Sequence, residues 1–180
     1  NMPATKWNQD LNAGQDWMAN LNLLQPDGVT NRDITNHTLE SKVKRHIKSV
    51  AAKLSLRIRV VEASTGNISL MLSAAETTLL KSGKYVYDVE VTAPNTLTVK
   101  EATGTFIEGE VITGATSGAT GVILTHATLT KITYNVTSGT FTMMELINGT
   151  TFNAKVVTND GKPIDRVIEG VFTIRPEVTD

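Results

Sequence analysis

The chain contains no cysteine, and aromatic residues make up only 5% of its 180 positions. The absence of cysteine excludes a disulfide scaffold, a thiol nucleophile and a thiolate-bound metal. Because no run of about 18 apolar residues occurs, the sequence predicts no membrane-spanning helix. The first twenty residues are polar and include Asp10 and Asp16. We therefore expect no secretory signal in this segment.

An excess of charge of either sign is also lacking, since 17 Lys and Arg residues are balanced by 18 Asp and Glu residues. Nucleic-acid binding through counterion release needs a concentrated basic surface, so this balance argues against a nucleic-acid partner. At roughly 100–200 residues per domain, the length fits one domain or one domain with an inserted module.

Threonine, in contrast, is abundant, with 27 residues in the chain. Its β-branched side chain loses rotamers against a helical turn, so this composition favours strands. Four segments alternate apolar and polar residues with the period of two that is typical of a half-buried strand. Their apolar residues are Trp17, Ala19, Leu21 and Leu23; Leu54, Leu56, Ile58 and Val60; Ile68, Leu70 and Leu72; and Tyr85, Tyr87, Val89 and Val91.

A further strand and one helix complete the expected elements. The strand covers residues 164–174 and ends at Arg175-Pro176, because proline cannot donate a hydrogen bond to a ladder. The helix begins at a capping box, in which the Ser73 hydroxyl accepts from a helical amide and the Glu76 carboxylate reaches back. It should run to about Lys81, and Gly83 is placed to end it in a left-handed cap.

An internal duplication lies between the last two strands, where residues 104–122 align with residues 139–157 at an offset of 35. Two such strand-turn-strand copies cannot each bury a face alone, so we expect them to pair into a small β-module. In the second copy Met143-Met144 replaces a Glu-Gly step, which puts its turn geometry in doubt because glycine adopts positive φ cheaply. The matching pairs include Gly104/Gly139, Thr105/Thr140, Phe106/Phe141, Glu110/Glu145, Ile112/Ile147, Gly114/Gly149, Thr116/Thr151 and Ala119/Ala154.

The duplication sets the expected domain boundaries. Residues 93–158 form the inserted module, and residues 1–92 with 159–180 form the host sandwich, which includes an arm at 1–12. The ends of the module, near Thr92 and Asn159, should lie close together, as insertion into a hairpin loop requires.

No motif for chemistry emerges. The glycine-rich run 114–121 lacks the ending of a P-loop and is not followed by a helix, so a turn within a β-repeat explains it better. His37, His46 and His126 stand singly, without a second ligand at metal spacing. We expect no catalytic, cofactor-binding or metal-binding residues, and hence no enzyme. We also hypothesise a cross-strand pair between Arg166 and Asp88 or Glu90, whose role would be structural.

Two features suggest contact surfaces. Seven of the seventeen basic residues fall between Lys42 and Arg59, and one interpretation of this cluster is a patch for an acidic partner or for nucleic acid. Arg57 and Arg59 lie on the polar face of a strand without stacking aromatics nearby, which favours a solvated face or a protein contact. Trp7 either packs in the core or anchors the arm onto a neighbouring subunit.

Three stretches outside the insert carry a resemblance to a known family. They read Gly66-x-Ile68-x-Leu70-x-Leu72-Ser73-Ala74-Ala75-x-Thr77, Gly83-Lys-Tyr85-Val-Tyr87-Asp88-Val-Glu, and Arg166-Val-Ile-Glu169-Gly170-x-x-Thr-Ile-x-Pro176-Glu-Val-Thr179. This order resembles tailed-phage virion proteins, namely the N-terminal domain of lactococcal phage upper baseplate proteins and structural proteins of T4-like cyanophages and other marine myoviruses. The motif of residues 106–121 is similar to a repeat found in many phage tail and fibre proteins.

The resemblance implies an immunoglobulin-like β-sandwich with one short helix, interrupted by the β-module. It also implies structural signature residues, which are Ser73, Glu76, Gly83, Tyr85, Tyr87, Asp88, Arg166, Glu169, Gly170 and Pro176. The implied function is that of a non-enzymatic tail or baseplate component in the virion, where many copies bridge other tail, baseplate, neck or capsid proteins. A head decoration or neck protein is one alternative. A carbohydrate-binding receptor module is another, and it predicts an exposed aromatic platform. No nucleic-acid or membrane partner is expected.

Overall fold

A computed structural model describes residues 4–128 and 130–176, and the side chains within these ranges except those of residues 126–128. Strands dominate and a single short helix is present among the described residues, so the expected all-β class is confirmed. The elements are β1 Thr5–Lys6, β2 Gln9–Asn12, β3 Trp17–Asn22, β4 Thr38–Lys44, β5 Arg57–Glu62, β6 Asn67–Leu72, α1 Ala74–Leu79, β7 Gly83–Thr92, β8 Asn95–Gly104, β9 Val111–Gly114, β10 Thr120–Thr128, β11 Lys131–Ser138, β12 Leu146–Asn148, β13 Phe152–Gly161 and β14 Ile164–Arg175.

The chain divides into two compact units. The first, here called the sandwich unit, comprises residues 1–91 and 164–180, and the second, the barrel unit, comprises residues 92–163. The predicted boundaries of the insert were 93 and 158. The amide of Ala93 donates to the carbonyl of Pro163 at 2.9 Å, so the two ends of the barrel unit lie side by side.

Two sheets enclose the core of the sandwich unit. One has the order β1-β14-β7-β4, with β2 also paired to β14, and the other has the order β3-β6-β5. The N-terminal strands β1 and β2 both run parallel to the C-terminal strand β14. Apolar residues from both sheets form one buried cluster, so the sandwich-type fold is confirmed.

The alternation in the sequence places this core correctly along β3, β6 and β7. The rings of Tyr87 and Phe172 stack at 4.1 Å, and Trp17 meets Phe172 edge-on at 5.3 Å. Two apolar residues do not follow the expected pattern, since Val60 is 43% exposed and Ile164 is 58% exposed. Val60 lies on the edge strand β5, and Ile164 is the first residue of β14.

The helix begins as predicted, but Gly83 does not end it. Ser73 is the N-cap of α1, and the capping box with Glu76 is present. The C-cap is Leu80 in an extended conformation, whereas Gly83 starts β7 with φ of +129°. A Cβ atom at Gly83 would come within 2.8 Å of the Arg45 guanidinium, so this glycine makes room for an arginine that is distant in sequence.

Six strands of the barrel unit close on themselves in the order β10-β11-β8-β13-β12-β9. Phe106 and Phe141, which occupy equivalent positions in the two copies, are both buried, as expected for core residues. Two edge-to-face aromatic pairs fill the interior, Phe106 with Phe152 and Tyr134 with Phe141. The two copies together therefore build one core.

The number of residues that separates equivalent positions of the two copies changes along the chain. Thr113 pairs with Thr120 in the first copy and Asn148 pairs with Asn153 in the second, so the offset of 35 falls to 33 after the turn. The predicted match of Ala119 with Ala154 is therefore wrong. The turn of the first copy is two residues longer, and a sequence alignment without gaps cannot register this difference.

The second copy nevertheless keeps the left-handed turn before β12. Met144 has φ of +67° where the first copy has Gly109 at +83°. The Met144 amide donates to Val156 and the Gly109 amide donates to Ile123, so both turns are closed in the same way. A non-glycine residue in this conformation costs about 1 kcal/mol or more.

Candidate functional site

Five of the ten signature residues, contributed by β7 and β14, line one groove of the sandwich unit. This groove, called the basic groove below, has a volume of about 420 Å³. The N-terminal segment, β4 and the loop after β4 contribute three lysines and most of the remaining wall. The groove is lined by Tyr87, Asp88, Arg166, Glu169, Gly170, Lys6, Asn8, Lys42, Lys44, Ile47, Val86 and Val171.

The N-terminal segment is seated along β14 beside this groove. The Trp7 amide donates to the carbonyl of Glu169 at 2.9 Å, and the Tyr87 hydroxyl donates to the carbonyl of Trp7. A Cβ atom at Gly170 would lie 1.9 Å from the Trp7 carbonyl oxygen, which no side chain permits. Tyr87, Glu169 and Gly170 thus form the seat of the N-terminal segment.

Trp7 itself packs on the core of its own chain, which is the first of its two predicted alternatives. Its half-buried ring lies 6.2 Å from the Trp17 ring and contacts the main apolar cluster. Burial raises the pKa of the Tyr87 hydroxyl well above its usual value, so this group stays protonated and keeps donating to Trp7. The described part of the arm therefore belongs to the sheet, where its two strands β1 and β2 both pair with β14.

Arg166 pairs with both carboxylates that the sequence suggested. Its guanidinium lies 3.4 Å from Asp88 through Nε and 3.4 Å from Glu90 through Nη2, so the hypothesis of a cross-strand pair is confirmed. The arginine side chain is half-exposed, and such pairs are worth about 1 kcal/mol or less. Asp88 Oδ1 is buried and has no hydrogen-bond partner among the described residues.

Cations outnumber anions in the basic groove. Lys6, Lys42, Lys44 and Arg166 face it against Asp88 and Glu169. The net charge of this lining is therefore positive, although the whole chain carries a formal net charge of −1.

The remaining signature residues have local structural roles. Ser73 and Glu76 cap α1, while Gly83 and Tyr85 accommodate Arg45, whose guanidinium lies 4.8 Å from the centre of the Tyr85 ring. Pro176 is exposed just after β14. None of these residues lines the basic groove.

Arg57 and Arg59, the other predicted contact residues, lie on the second sheet of the sandwich. Both are exposed on β5, which is an edge strand. Arg57 lies 3.3 Å from Glu76, whereas no ion pair to Arg59 occurs among the described residues. Lys42 and Lys44 line the basic groove, whereas Arg57 and Arg59 do not.

In the barrel unit, each copy contributes a glutamate whose carboxylate accepts hydrogen bonds from the other copy. Sequence reasoning missed this pair. Glu110 of the first copy accepts from the amide and hydroxyl of Thr151 at 2.6 and 2.8 Å. Glu145 of the second copy accepts from the amides of Thr116 and Ser117 at 3.1 and 3.0 Å, and also from the Ser117 hydroxyl. Each copy thus holds the turn of the other. The signal was present, since Glu110/Glu145 and Thr116/Thr151 match at one offset.

Hydrogen bonding keeps both carboxylates ionised. Burial alone would raise the pKa of the Glu145 carboxyl, but donors from Ser117, Thr142 and Thr116 outweigh burial and hold this pKa below its usual range. The pKa of Glu110 is lowered in the same way, because the donors of Thr151 outweigh the effect of burial. The two groups are therefore structural anions.

The described residues hold no arrangement for metal or phosphate chemistry. No group of three or more His, Asp or Glu residues capable of holding a metal ion occurs among them. In the glycine-rich turn the amides of Thr116 and Ser117 donate to Glu145, and those of residues 114, 115, 118 and 119 donate to other groups of the barrel, so these amides are not free to form a phosphate cradle. His37 contacts the carbonyl of Thr35, and the side chain of His126 lies outside the described set. Within the described part of the chain, no helix is long and apolar enough to cross a membrane.

The aromatic platform expected of a carbohydrate-binding module is not formed by the insert. All four of its aromatic residues are at most 3% exposed, and they are Phe106, Tyr134, Phe141 and Phe152. They fill the barrel instead.

Comparison with protein-family models finds no match to this chain, and comparison with curated proteins finds none either.

Proposed function

We propose that the chain is a non-enzymatic structural protein of a tailed-phage virion, most simply a tail or baseplate component that bridges neighbouring subunits. The observation that carries this proposal is the basic groove. It brings Asp88, Arg166 and the seat of the N-terminal segment together on an open surface of the sandwich unit. A docking surface on such a scaffold is what a connecting subunit needs.

The build of the two units supports a passive role. Each has its own apolar core, and the barrel uses its ionised carboxylates to tie its own turns rather than to face a cavity. The partners under this proposal are other virion proteins, present in many copies within a symmetric assembly. Its place is the virion, and a head decoration or neck position is the nearest variant.

Gold-labelled antibodies against the purified chain, applied to intact particles from the source of the sequence, test this function. Antibodies are preferable to an epitope inserted in the exposed glycine-rich turn, because Ser117 in that turn binds Glu145. Label at the tail end supports the tail or baseplate assignment, and label on the head or collar moves the protein to decoration or neck. Absence of the chain from purified particles would overturn the virion proposal.

A further inference from the structure

The cations between Lys42 and Arg59 stand in a segment without compensating charge. Residues 41–61 contain no Asp or Glu. Of these cations, Lys42 and Lys44 line the basic groove, where Lys6 joins them from the N-terminal segment. No ion pair to any of these three lysines occurs among the described residues. Their charges are available to a partner.

An apolar element adjoins these lysines in the loop between β4 and β5. Ile47 lines the groove and is 76% exposed, and Val50, at the tip of the same loop, is fully exposed. The base of the loop is fixed, because the Val43 amide donates to the Leu54 carbonyl and the Val43 carbonyl accepts from the Lys53 amide. Ile47 therefore places an exposed apolar side chain beside the lysines of the groove.

We infer that the basic groove docks an extended segment of a partner protein that carries carboxylates interspersed with apolar side chains. The carboxylates would pair with Lys6, Lys42 and Lys44, and an apolar side chain would pack on Ile47. Charge complementarity commits the site to an acidic partner, while the apolar wall provides the desolvated contact that holds it.

The groove is poorly suited to nucleic acid. Asp88 and Glu169 stand among its cations and would repel closely spaced phosphates. The ring of Tyr87 is turned into the core, where only 3% of the residue is exposed, so no stacking platform faces the groove. A peptide can place its carboxylates over the lysines and avoid both acidic residues.

This inference deepens the proposed function, since it names the chemistry of the partner segment at the same site. Binding to the purified chain does not depend on where the protein sits in a particle. A failure of peptide binding would therefore leave the particle-labelling test untouched, and a failure of labelling would leave peptide binding intact.

The test uses fluorescence anisotropy with a labelled seven-residue peptide of alternating Glu and Val. The groove variant is Lys42→Glu with Lys44→Glu, and the matched control is Arg59→Glu with Lys81→Glu. The control makes the same change in net charge at exposed positions of the same unit that do not line the groove. Ile47→Ser tests the apolar wall, with Val29→Ser as its control, because Val29 is 82% exposed on a separate turn.

We expect the groove variant to bind the peptide about tenfold more weakly, the charge control to match the wild-type chain, and added salt to weaken binding. Ile47→Ser should weaken binding severalfold, and a peptide of alternating Glu and Ser should bind the wild-type chain as weakly. Absent binding, or equal binding by the groove variant and its control, would overturn the inference. Tighter binding of a twelve-residue oligothymidylate through the same lysines would overturn it in favour of nucleic acid. Circular dichroism of each variant establishes that it is folded.

Discussion

The sandwich unit and the barrel unit hold their strands and turns together by different interactions. The sandwich closes by packing: Trp7, Trp17, Tyr87 and Phe172 form a continuous aromatic group, and Gly170 lets the N-terminal strand approach. The barrel has no tryptophan and closes its turns with two buried or half-buried carboxylates that reach between its copies. Closure by packing depends on shape, whereas closure by carboxylates depends on ionisation.

The difference also separates the two units experimentally. Both tryptophans of the chain, Trp7 and Trp17, belong to the sandwich unit. Tryptophan emission therefore reports unfolding of the sandwich, while hydrogen exchange of peptides from residues 92–163 reports the barrel.

Glu145→Ala should give the largest loss, about 4 kcal/mol of barrel stability. The change removes the acceptor of three partly buried hydrogen bonds, from the amides of Thr116, Ser117 and Thr142, and also that of the Ser117 hydroxyl. Each unmet donor costs about 1 kcal/mol, the lower end of the range for buried groups. Hydrogen exchange in the barrel should accelerate while the tryptophan transition stays in place. Glu108→Ala is the control. Glu108 is exposed and lies two residues before Glu110, which is the counterpart of Glu145 in the first copy. Equal effects of the two variants would contradict the role of Glu145.

Gly170→Ala should destabilise the sandwich by about 3 kcal/mol, because overpacking at a site without room forces the backbone to move. Gly170 is outside the left-handed region, so the loss comes from the space taken by Trp7 and not from strain. Denaturant unfolding followed by tryptophan emission measures it. Removal of residues 1–8 should reduce the stability that Gly170→Ala loses. An unchanged loss would show that the substitution does not act through the N-terminal segment.

Acid should weaken the barrel before the sandwich. The folded pKa values of Glu110 and Glu145 lie below their usual value of 4.5, so their stabilisation is present above that pH and is lost as pH falls through the folded values. The shifted carboxylates of the sandwich, Asp27, Asp33 and Glu76, are in exposed turns or a helix cap and should contribute less. Hydrogen exchange from pH 6 to pH 3 should show earlier opening of the barrel. Glu145→Gln should flatten that dependence; simultaneous opening of both units would contradict it.

A reciprocal pair of substitutions tests the two copies against each other. Met144→Gly should stabilise the barrel by about 1 kcal/mol because it relieves a left-handed methionine, and Gly109→Ala should destabilise it by a similar amount. No atom lies within 4 Å of a Cβ at Gly109, so strain alone decides the second result. Thermal unfolding by circular dichroism compares both variants with the wild-type chain. Shifts of the same sign would show that the turns are not equivalent.

Arg166→Glu should have the smallest effect, a loss of about 1 kcal/mol from the sandwich. The variant replaces a half-exposed ion pair by repulsion among carboxylates, which salt screens. Tryptophan-detected unfolding should show a smaller loss in 0.5 M NaCl than in 20 mM NaCl. A loss independent of salt would point to packing by the arginine stem instead.

Local patterns predicted the strands well and the contacts between distant residues poorly. Alternation placed Ile68, Leu70 and Tyr87 in the core because side-chain direction in a strand depends only on position. Gly83 was assigned to the helix end because its neighbours in sequence suggested a cap, while its true neighbour, Arg45, is decided by the fold. The hydrogen bonds that Glu110 and Glu145 each make to the other copy depend on the strand register of the closed barrel. The repeated residues indicate this register but do not fix it.

That several signature residues line one groove could likewise be predicted only in part from the sequence. The resemblance selected Tyr87, Asp88 and Gly170 without saying what they do, and their shared groove follows from the pairing of β7 with β14. The lysines of the groove were recognised as part of a basic segment. Arg57 and Arg59 lie on β5 of the other sheet and do not line the groove, which a basic segment in the sequence does not reveal.

The most direct test of the central claim, that this is a virion component docked through its basic groove, is incorporation of variant chains into particles. A host infected with phage lacking the endogenous copy would supply the wild-type chain, Lys42→Glu with Lys44→Glu, or the control Arg59→Glu with Lys81→Glu. Quantitative mass spectrometry of purified particles should recover the wild-type and control chains, and the folded groove variant at a tenth of their level or less. Equal recovery of the groove variant, or absence of the wild-type chain from particles, would contradict the claim.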